Sequence, residues 1–543
     1  MNAFLLEAYK YDSYTENGAV SHSTSGSYLL DYFSNSGTKI GREYEAVAFD
    51  LEILWMESPL IALQIIFYNR MITRKVKGSS PTETVQRGQG SRHEFRMSLR
   101  WLAERHPEAL MANLWLVPEV GCWKDLWHED VLGYLPAGSI YELIQSRLED
   151  AYHRELLAKY LPRIRSKSQA KTERHQLLNT FAHGLIRKLG WTPKAYRQFK
   201  SSGKAHEFQR LMCSNQWDQI AYGRVPGKAL SMMTSSSERH PESAIIAHGE
   251  TERFLDWLDQ QPVAKFTGYP HDLVGQLVDP NAMYGAGSPR LVSVKTVDKQ
   301  FLGLLETAKQ DVSPDYGNLW VAIDTSGSMG WKGENGISAY HIALGLGIYF
   351  SALNEGAFKD HIIMFDDVSR KLKLTGSFSE KVNQIIGMSD AMGSTNFQSV
   401  VDEIVRIRQE HPEIPVEDFP SSLLVVTDLQ FNPAGDNTKS NYEVAQQKLA
   451  KAGLPKLKII WWNVTDRSRD LPNQQDDEDV MMLGGFDGAI IPFLMGKSAP
   501  ESVTDAEETA SLSPETVKEE SMTPYTAMLK ALNQELLTKV TVA

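Results

Sequence analysis

Three short segments combine carboxylates and hydroxyls at spacings that suit a divalent cation. The first is DTSGS, in which Asp324, Ser326 and Ser328 lie at positions i, i+2 and i+4. Thr395 follows in GSTNF, and Asp428 closes LLVVTD. Together they form an all-oxygen donor set, which suits a hard ion and favours Mg²⁺ with waters completing an octahedron. The sequence therefore predicts a metal site.

The same residues indicate binding rather than turnover. A hydrolase needs a general base or an activated nucleophile beside the metal, and none of the three segments contains a histidine or a nucleophile with an adjacent base. Asp366-Asp367 could act as a catalytic pair, although a solvated turn is the simpler interpretation. We expect a protein that is not an enzyme, with a metal-dependent hydrolase as the less favoured alternative.

The elements that must position these donors form an α/β pattern from Leu319 onward. Near-continuous apolar runs predict strands, and two apolar stretches between them predict helices. The strands are at 319–324, 361–365, 423–428 and 457–464, with SRKLKL after the second, and the helices are at 341–353 and 397–408. Strands that are apolar on both faces and separated by helices predict a mostly parallel sheet covered on each side. Asp324 and Asp428 end two of these strands, where such folds present ligand sites.

VAIDTSGSM, GSTNF and VVTD resemble, in order, the three-part metal-ion-dependent adhesion motif of von Willebrand factor A (vWA) domains. A lone DxSxS would be weak, because Asp and Ser commonly cap helices. The resemblance implies a Rossmann-like vWA domain in which the first four donors approach the metal. It also implies that Asp428 binds the metal directly or through water, and that the ion keeps one position open for an acidic group of a partner protein.

The preceding half of the chain predicts an all-helical domain over residues 44–310. Leu60, Leu63, Ile66 and Phe67 recur at three- and four-residue spacing, which places them along one side of a helix. Similar segments follow, separated by short Pro or Gly turns. Such consecutive amphipathic helices favour HEAT-like repeats that could close into a ring.

The remaining segments complete a predicted division of the chain. Residues 1–43 form an N-terminal arm that we expect to be partly flexible, and the vWA domain occupies residues 311–543. Polar stretches at 20–28 and 76–91 predict loops. The segment 498–522 carries seven acidic residues against one lysine, which predicts a disordered insertion. A terminal helix at 523–538 should pack on the vWA domain.

Charge is distributed unevenly along this chain, whose formal net charge is -12. Residues 151–210 contain 14 Lys and Arg and only three acidic residues. A block of this kind can attract phosphate backbones, or its long side chains can simply cover apolar surface. If the ligand is RNA, the candidate phosphate contacts are Arg163, Arg165, Lys167, Lys171 and Arg174.

Helical repeats followed by a vWA domain resemble the arrangement of the Ro autoantigen, an RNA-binding ring protein of the TROVE family. A more specific likeness is to an uncharacterised family of unknown function with the same domain order. It is carried by 15–33, 55–74, 95–127, 248–261 and 269–274. The resemblance implies an RNA-binding scaffold whose vWA domain docks an acidic partner. The alternative is a protein-interaction module without an RNA ligand.

Composition limits the compartment in which the chain is expected. The sequence has no run of about 18 apolar residues and no basic opening followed by an apolar stretch, so we expect neither a membrane span nor a secretion signal. Its two cysteines, Cys122 and Cys213, are too few for a disulfide framework or a cysteine-built zinc site, which fits a reducing compartment. We therefore expect a cytoplasmic protein. Because Ro-like rings close within one chain, we also expect a monomer.

Overall fold

The computed structural model of the protein describes residues 10–39, 41–77, 83–166, 168–203, 206–236, 241–278, 291–309, 318–330, 332, 338–388, 393–436, 438–466, 470–495 and 522–542. The chain forms two units, each built from several segments. The sheet unit contains Met1–Thr38, Tyr269–Ser288 and Leu304–Ala531. The helical unit contains Lys39–Gly268, Pro289–Gly303 and Leu532–Ala543. This division is discontinuous and differs from the predicted contiguous domains 44–310 and 311–543.

The strands of the described residues form one large sheet and two small hairpins. They are β1 (Ser13–Tyr14), β2 (Val20–Ser21), β3 (Ile72–Lys77), β4 (Glu83–Gln89), β5 (Leu319–Asp324), β6 (His361–Phe365), β7 (Ser369–Lys373), β8 (Ser422–Thr427), β9 (Lys458–Asn463) and β10 (Val480–Gly484). The large sheet has the order β10-β9-β8-β5-β6-β7. All its neighbours are parallel except β6 and β7. The mostly parallel sheet predicted from the sequence is therefore confirmed.

Helices account for most of the remaining regular structure. They are α1 (Tyr28–Ser36), α2 (Tyr44–Glu57), α3 (Pro59–Arg70), α4 (His93–Arg105), α5 (Pro107–Asn113), α6 (Val117–Val120), α7 (Glu129–Leu132), α8 (Ala137–Arg147), α9 (Ala151–Tyr160), α10 (Glu173–Lys188), α11 (Pro193–Ser202), α12 (Glu207–Cys213), α13 (Gly227–Thr234), α14 (Ala244–Ala247), α15 (Thr251–Asp259), α16 (Pro270–Val274), α17 (Leu291–Lys309), α18 (Ala339–Leu353), α19 (Phe378–Met388), α20 (Gln398–Glu410), α21 (Asn441–Lys451), α22 (Ile490–Met495) and α23 (Pro524–Leu532). Short 3₁₀ turns include Trp123–Trp127 and Gly327–Gly330.

The core of the sheet unit surrounds its central strands. Every residue of β5 and of β8 is buried, as expected for parallel strands covered on both faces. All of α18 is buried as well, and a Cβ on its Gly347 would lie 2.2 Å from Cδ1 of Ile323. Glycine at this position therefore lets the helix lie directly against β5, the strand that carries Asp324.

The described residues 10–38 of the N-terminal arm belong to the sheet unit and contact it through hydrogen bonds and buried side chains. The partial flexibility expected for residues 1–43 stays a prediction. His22 exchanges backbone hydrogen bonds of 3.0 and 2.9 Å with Leu471. In α1, Leu29 is fully buried, and Ser34 lies so close to β10 that a Cβ on Gly484 would come within 2.2 Å of its carbonyl oxygen. The arm covers part of the sheet.

The polar residues at 20–28 serve this ordered structure rather than a loop exposed to water. Ser25 and Ser27 are buried. The carboxylate of Asp31 accepts hydrogen bonds from the Ser25 N–H at 2.9 Å and from the hydroxyl of Thr24 at 2.5 Å. Ser27 caps α1 by accepting from the Leu30 N–H at 3.3 Å. In the sequence these hydroxyls indicate a loop. In the structure, the Ser27 hydroxyl accepts a hydrogen bond from an N–H group in the first turn of α1.

The helical unit also departs from prediction at one place. Residues 76–91 were expected to form a loop within an all-helical domain, yet β3 and β4 pair as an antiparallel hairpin. Gln89 and Arg87 of β4 are buried, and helix α3 lies immediately before β3. The alternating pattern that marks a strand is weak here, because the buried positions are occupied by polar residues.

The C-terminal residues divide between the two units. Helix α23 ends at Leu532, so the predicted helix 523–538 is too long. Beyond it, Gln534 accepts from the Arg87 N–H at 2.9 Å and donates to the Arg87 carbonyl oxygen at 3.1 Å. Thr541 likewise donates its N–H to Asn113 at 3.0 Å. These side-chain partners hold the tail in the helical unit. The predicted acidic insertion 498–522 lies outside the described residues, apart from Met522.

Candidate metal site

The adjacent ends of β5 and β8 place Asp324 and Asp428 close together. The two strands are parallel neighbours, so their carboxyl ends meet at one edge of the sheet. The Thr427 hydroxyl donates to Oδ2 of Asp324 at 2.6 Å, and the Ser326 N–H donates to Oδ1 at 2.9 Å. The carboxylate of Asp324 is thus held by two hydrogen bonds. Thr427 was not among the predicted site residues.

The loop after β5 presents the two serine hydroxyls side by side. The Oγ atoms of Ser326 and Ser328 are 3.2 Å apart, within the 3₁₀ turn that begins at Gly327. Ser326 is buried, Ser328 is half-buried and Gly327 is exposed. One side of this loop therefore faces the protein interior while the other is accessible to solvent.

Thr395 is held beside both of these loops by backbone hydrogen bonds. The Gly327 N–H donates to the Gly393 carbonyl oxygen at 3.0 Å, and the Asn432 N–H donates to the Thr395 carbonyl oxygen at 2.9 Å. The Thr395 side chain is fully buried, and its hydroxyl has no hydrogen-bond partner within the described part of the chain. A buried hydroxyl without a partner costs about 1–3 kcal/mol, a cost that a ligand at this position would remove.

The two carboxylates of the site are both buried, at 0% exposure for Asp324 and 2% for Asp428. Burial first, and then the neighbouring negative charge of Asp428, raise the pKa of Asp324 well above its ordinary value. Two like charges in a water-poor environment repel each other. A divalent cation between them would remove this repulsion and supply the missing partner of Thr395.

The donor set fits a hard divalent cation. No group of three His, Cys, Asp or Glu side chains able to hold a metal occurs in the described ranges, so hydroxyl oxygens must complete any site here. The structure places all five predicted residues on three loops linked by hydrogen bonds at one sheet edge. An oxygen-only set of carboxylates and hydroxyls matches Mg²⁺, whereas a softer metal would require nitrogen or sulfur ligands.

The acidic pair Asp366-Asp367 supports the site rather than forming a second one. Asp367 is exposed and accepts hydrogen bonds from the N–H and the hydroxyl of Ser394 at 2.9 and 2.5 Å, which lower the pKa of Asp367. Asp366 is 3% exposed and accepts from Arg370 at 2.7 Å. The interpretation of this pair as a solvated turn therefore holds for Asp367, which is exposed, and is wrong for Asp366, which is buried. Ser394 precedes Thr395, so Asp367 positions the threonine loop.

An N-terminal turn packs against the loop that follows Asp428. The Thr15 hydroxyl donates to the Phe431 carbonyl oxygen at 2.7 Å, and the Asn17 side chain donates to the Gln430 carbonyl oxygen at 2.5 Å. The Gln430 N–H in turn donates to Asp428 Oδ1 at 3.1 Å. Sequence reasoning missed this turn, because more than 400 residues separate it from the loop it holds and no local pattern links them.

Leu429, directly after Asp428, has the left-handed backbone conformation with φ of 64°. This conformation costs a side chain such as leucine roughly 1–2 kcal/mol. The Leu429 N–H donates to the Thr427 hydroxyl at 3.1 Å, the same hydroxyl that donates to Asp324. The strained backbone at Leu429 thus helps to fix the orientation of both carboxylates. Backbone strain of this kind is common at functional sites.

The predicted RNA contacts lie on the helical unit and are arranged less uniformly. Arg163 and Lys171 are exposed, and Arg165 is half-buried. The Arg165 N–H donates to Asn179 at 2.9 Å. Arg174 is exposed and forms an ion pair with Glu129 at 3.5 Å. Lys167 lies outside the described residues.

The comparisons with known proteins match the two halves of the chain to different families. Residues 15–175 match the family described as Domain of unknown function (DUF2828). Residues 320–532 match the family described as Domain of unknown function (DUF7788). The second match contains all five candidate metal ligands. Neither description names an activity, so function has to be inferred from the geometry of the site.

Similarity to individual proteins extends over most of the chain. It is 25% identical over 530 residues to Uncharacterized protein L728 of Acanthamoeba polyphaga mimivirus, which covers 89% of this chain and 84% of that protein. The crystal structure of Deinococcus radiodurans RO (RSR) protein is similar at 15% identity with a TM-score of 0.39, covering 86% of this chain and 98% of that one. Among the described helices, none has the length and apolarity needed to cross a membrane.

Proposed function

We propose that the protein is a non-enzymatic binding protein whose sheet unit is a vWA-type domain. Asp324, Ser326, Ser328 and Thr395 would hold Mg²⁺, with Asp428 bound directly or through water. The observation that carries this proposal is the Thr395 hydroxyl, which is fully buried and has no hydrogen-bond partner among the described residues. Backbone hydrogen bonds fix the loops on either side of it, so the hydroxyl is held in place for a ligand.

The site is suited to docking an acidic group of a partner. Two carboxylates balance the charge of a divalent ion, and the neutral hydroxyls add none. Mg²⁺ usually keeps several waters, and a carboxylate from a partner can replace one of them. The exposed Gly327 and half-buried Ser328 leave the outer side of the loop accessible. The bound metal would therefore act as a bridge between this chain and the partner.

A pair of isosteric substitutions tests the metal site. Thr395→Val removes a hydroxyl that has no hydrogen-bond partner among the described residues, so we expect it to leave the metal-free protein as stable as before while Mn²⁺ affinity falls at least tenfold. Thr325→Val is the matched control, because the buried Thr325 hydroxyl donates to the Phe365 carbonyl oxygen at 3.2 Å. It should cost about 1 kcal/mol of stability and leave Mn²⁺ affinity unchanged.

Isothermal titration calorimetry with Mn²⁺ and thermal unfolding in EDTA provide the two readouts. Equal Mn²⁺ affinity for the wild type and Thr395→Val would contradict the metal site. Docking is tested on the Mn²⁺-loaded protein by water proton relaxation. A glutamate-containing peptide should displace bound water and reduce the relaxation enhancement, and a peptide with glutamine at the same position should not.

We also propose that the helical unit binds RNA. The observation that favours this is that Arg163 and Lys171 are exposed and unpaired with acids among the described residues, in a part of the chain where basic residues predominate. Arg165 and Arg174 complete the proposed surface, and Lys167 remains a sequence-based candidate. Fluorescence anisotropy of a labelled single-stranded RNA, measured at several salt concentrations, tests the proposal. Absence of binding at low salt would favour a protein-interaction module instead.

A further inference from the structure

Positively charged side chains converge at the C-terminal end of α9. Lys200, on α11, extends to this end, and its Nζ donates to the carbonyl oxygens of Lys159 at 2.7 Å and Ala158 at 3.3 Å. The last carbonyls of a helix lack partners within the helix and carry partial negative charge. They therefore hold the Lys200 ammonium group in a fixed position.

A contact with α11 positions Arg163 near the C-terminal end of α9. Tyr196 lies one helical turn before Lys200, and its hydroxyl donates to the Pro162 carbonyl oxygen at 2.8 Å. This hydrogen bond fixes the chain that leaves α9 beside α11, with Arg163 as the next residue. Arg163 is exposed, and within the described residues its guanidinium group forms no ion pair.

Lys124 is the third cation and comes from the 3₁₀ turn Trp123–Trp127. Its Nζ lies 5.0 Å from the centroid of the Tyr160 ring, at the last residue of α9. Lys159 lies 5.2 Å from the same ring and contacts His206 at 2.9 Å. A cation beside an aromatic face is stabilised by about 0.5–1 kcal/mol at exposed sites. Tyr160 therefore helps to hold Lys124 near the end of α9.

Arg163 and Lys124 act electrostatically on Lys200. Burial first, and then the positive charges of Arg163 and Lys124, lower the pKa of Lys200 to about 8. Among the described residues, no carboxylate contributes to the lowered pKa of Lys200, whereas the nearby Glu155 acts on His206. Like charges that are held together without a counter-ion disfavour one another. An anion bound among them would replace this repulsion with attraction.

We propose that Lys124, Arg163 and Lys200 form a phosphate-binding site that takes a backbone phosphate of RNA. The assignment of this phosphate to RNA rests on the RNA binding proposed above. A guanidinium group can form two parallel hydrogen bonds to a phosphate, and the two ammonium groups add charge without demanding a direction. Lys124 and Lys200 extend the RNA surface beyond the residues expected from the sequence.

The test measures binding of a fluorescein-labelled 20-nucleotide oligouridylate to the full chain by fluorescence anisotropy. In the double variant Lys124→Gln/Arg163→Gln both changed residues are exposed, so the fold should be retained. We expect affinity to fall about tenfold or more. The slope of log affinity against log salt should become shallower by about 1.4, because a single strand contributes about 0.7 for each lost contact.

The matched control is Lys228→Gln/Lys265→Gln, which removes two exposed lysines of the same unit that form no ion pair among the described residues. It changes the net charge equally, and its affinity should stay within about twofold of the wild type. Lys200→Met is a further variant that removes the ammonium group and keeps an unbranched side chain of nearly the same length. Because Lys200 also binds the end of α9, the double variant decides the outcome if Lys200→Met does not fold.

The possible results separate the site from its ligand. If the wild type binds RNA and the double variant binds as well as the control, the phosphate site is overturned while RNA binding stands. If the wild type binds no RNA, titration calorimetry with tripolyphosphate tests whether the site takes a free phosphate compound instead of an RNA phosphate. Binding that the double variant loses would support a site for a free phosphate compound, and no binding would overturn the site altogether.

Discussion

The sheet-edge metal site and the cation cluster of the helical unit are built by opposite means. In the sheet unit the donors are short side chains, mostly buried, and their loops are tied by hydrogen bonds such as that from Thr427 to Asp324. In the helical unit the groups are at the ends of long side chains, and only Lys200 is anchored to backbone carbonyls. Both sites place like charges close together.

This difference predicts different responses to substitution. A buried, preorganised set loses its ligand when one member is removed, because the others cannot move to compensate. Exposed cations contribute separately, and their effect falls as salt rises. Sharp dependence on single residues should therefore mark the metal site, whereas graded and salt-sensitive dependence should mark the cation cluster.

The largest expected effect is a loss of stability at Asp125, a buried carboxylate whose charge is neutralised by two arginines. Asp125 is fully buried in the helical unit and pairs with Arg70 at 2.7 Å and Arg96 at 3.1 Å. Removing one partner of a buried ion pair costs roughly 3–5 kcal/mol, so Asp125→Ala should destabilise the helical unit by about that amount in urea unfolding. Mg²⁺ should not change the loss. Recovery of stability on adding Mg²⁺ would contradict the expectation that only the proposed metal site responds to the ion.

The next effect concerns the two buried carboxylates of the proposed metal site, Asp324 and Asp428. Asp324→Ala should reduce Mn²⁺ affinity by more than about a hundredfold, because a charged ligand contributes far more than a hydroxyl. Stability in EDTA should fall by about 1 kcal/mol, because the loss of the hydrogen bonds from Thr427 and Ser326 is partly offset by the removal of one of two mutually repelling charges. Calorimetry and thermal unfolding test both statements. Glu355→Ala, at an exposed position of the same unit, should change neither.

A smaller effect is expected from the N-terminal turn that holds the Asp428 loop. Thr15→Val breaks the hydrogen bond to the Phe431 carbonyl oxygen, which is worth about 1 kcal/mol, so Mn²⁺ affinity should fall several-fold. Tyr14→Phe is the control, since it removes a hydroxyl from a side chain that is 66% exposed. Equal affinities in these two variants would show that the turn does not position Asp428.

The smallest effects distinguish two cations of the helical unit. Lys171→Gln should weaken RNA binding about twofold at low salt. Arg174→Gln should weaken it less, because Arg174 already pairs with Glu129 and has to leave that partner to bind phosphate. Anisotropy titrations at two salt concentrations measure both. A larger loss for Arg174→Gln would show that its ion pair does not compete with RNA.

Much of the sheet unit could be predicted from local sequence patterns. β5 and β8 are near-continuous apolar runs, and the sequence predicts their bounds to within one residue; Asp324 ends β5 and Asp428 directly follows β8. The candidate donors Asp324, Ser326, Ser328, Thr395 and Asp428 could be proposed from local patterns too, and their role as metal ligands stays a prediction. Each of their segments is short, and each directly follows a strand or precedes a helix.

Other features depended on contacts between residues that are distant in the chain. The hairpin of β3 and β4 buries polar residues, so its sequence lacks the alternation that marks a strand. The serines near Ser25 are typical of loops until Asp31 and α1 give their polar groups partners. The tail after Leu532 leaves the helical pattern because Gln534 binds the backbone of Arg87.

The amino-acid sequence by itself determined which side chains could hold a metal and which stretch of the chain is basic, because residue type and local spacing are sufficient for both. Only the tertiary structure decided that the Thr395 hydroxyl is buried with no hydrogen-bond partner in the described part of the chain, and that Thr427, Asp367 and Thr15 contact the loops of the proposed site. It alone placed Lys124 and Lys200 near Arg163. Burial and hydrogen bonding are properties of the folded chain, since they depend on neighbours that the sequence keeps far apart.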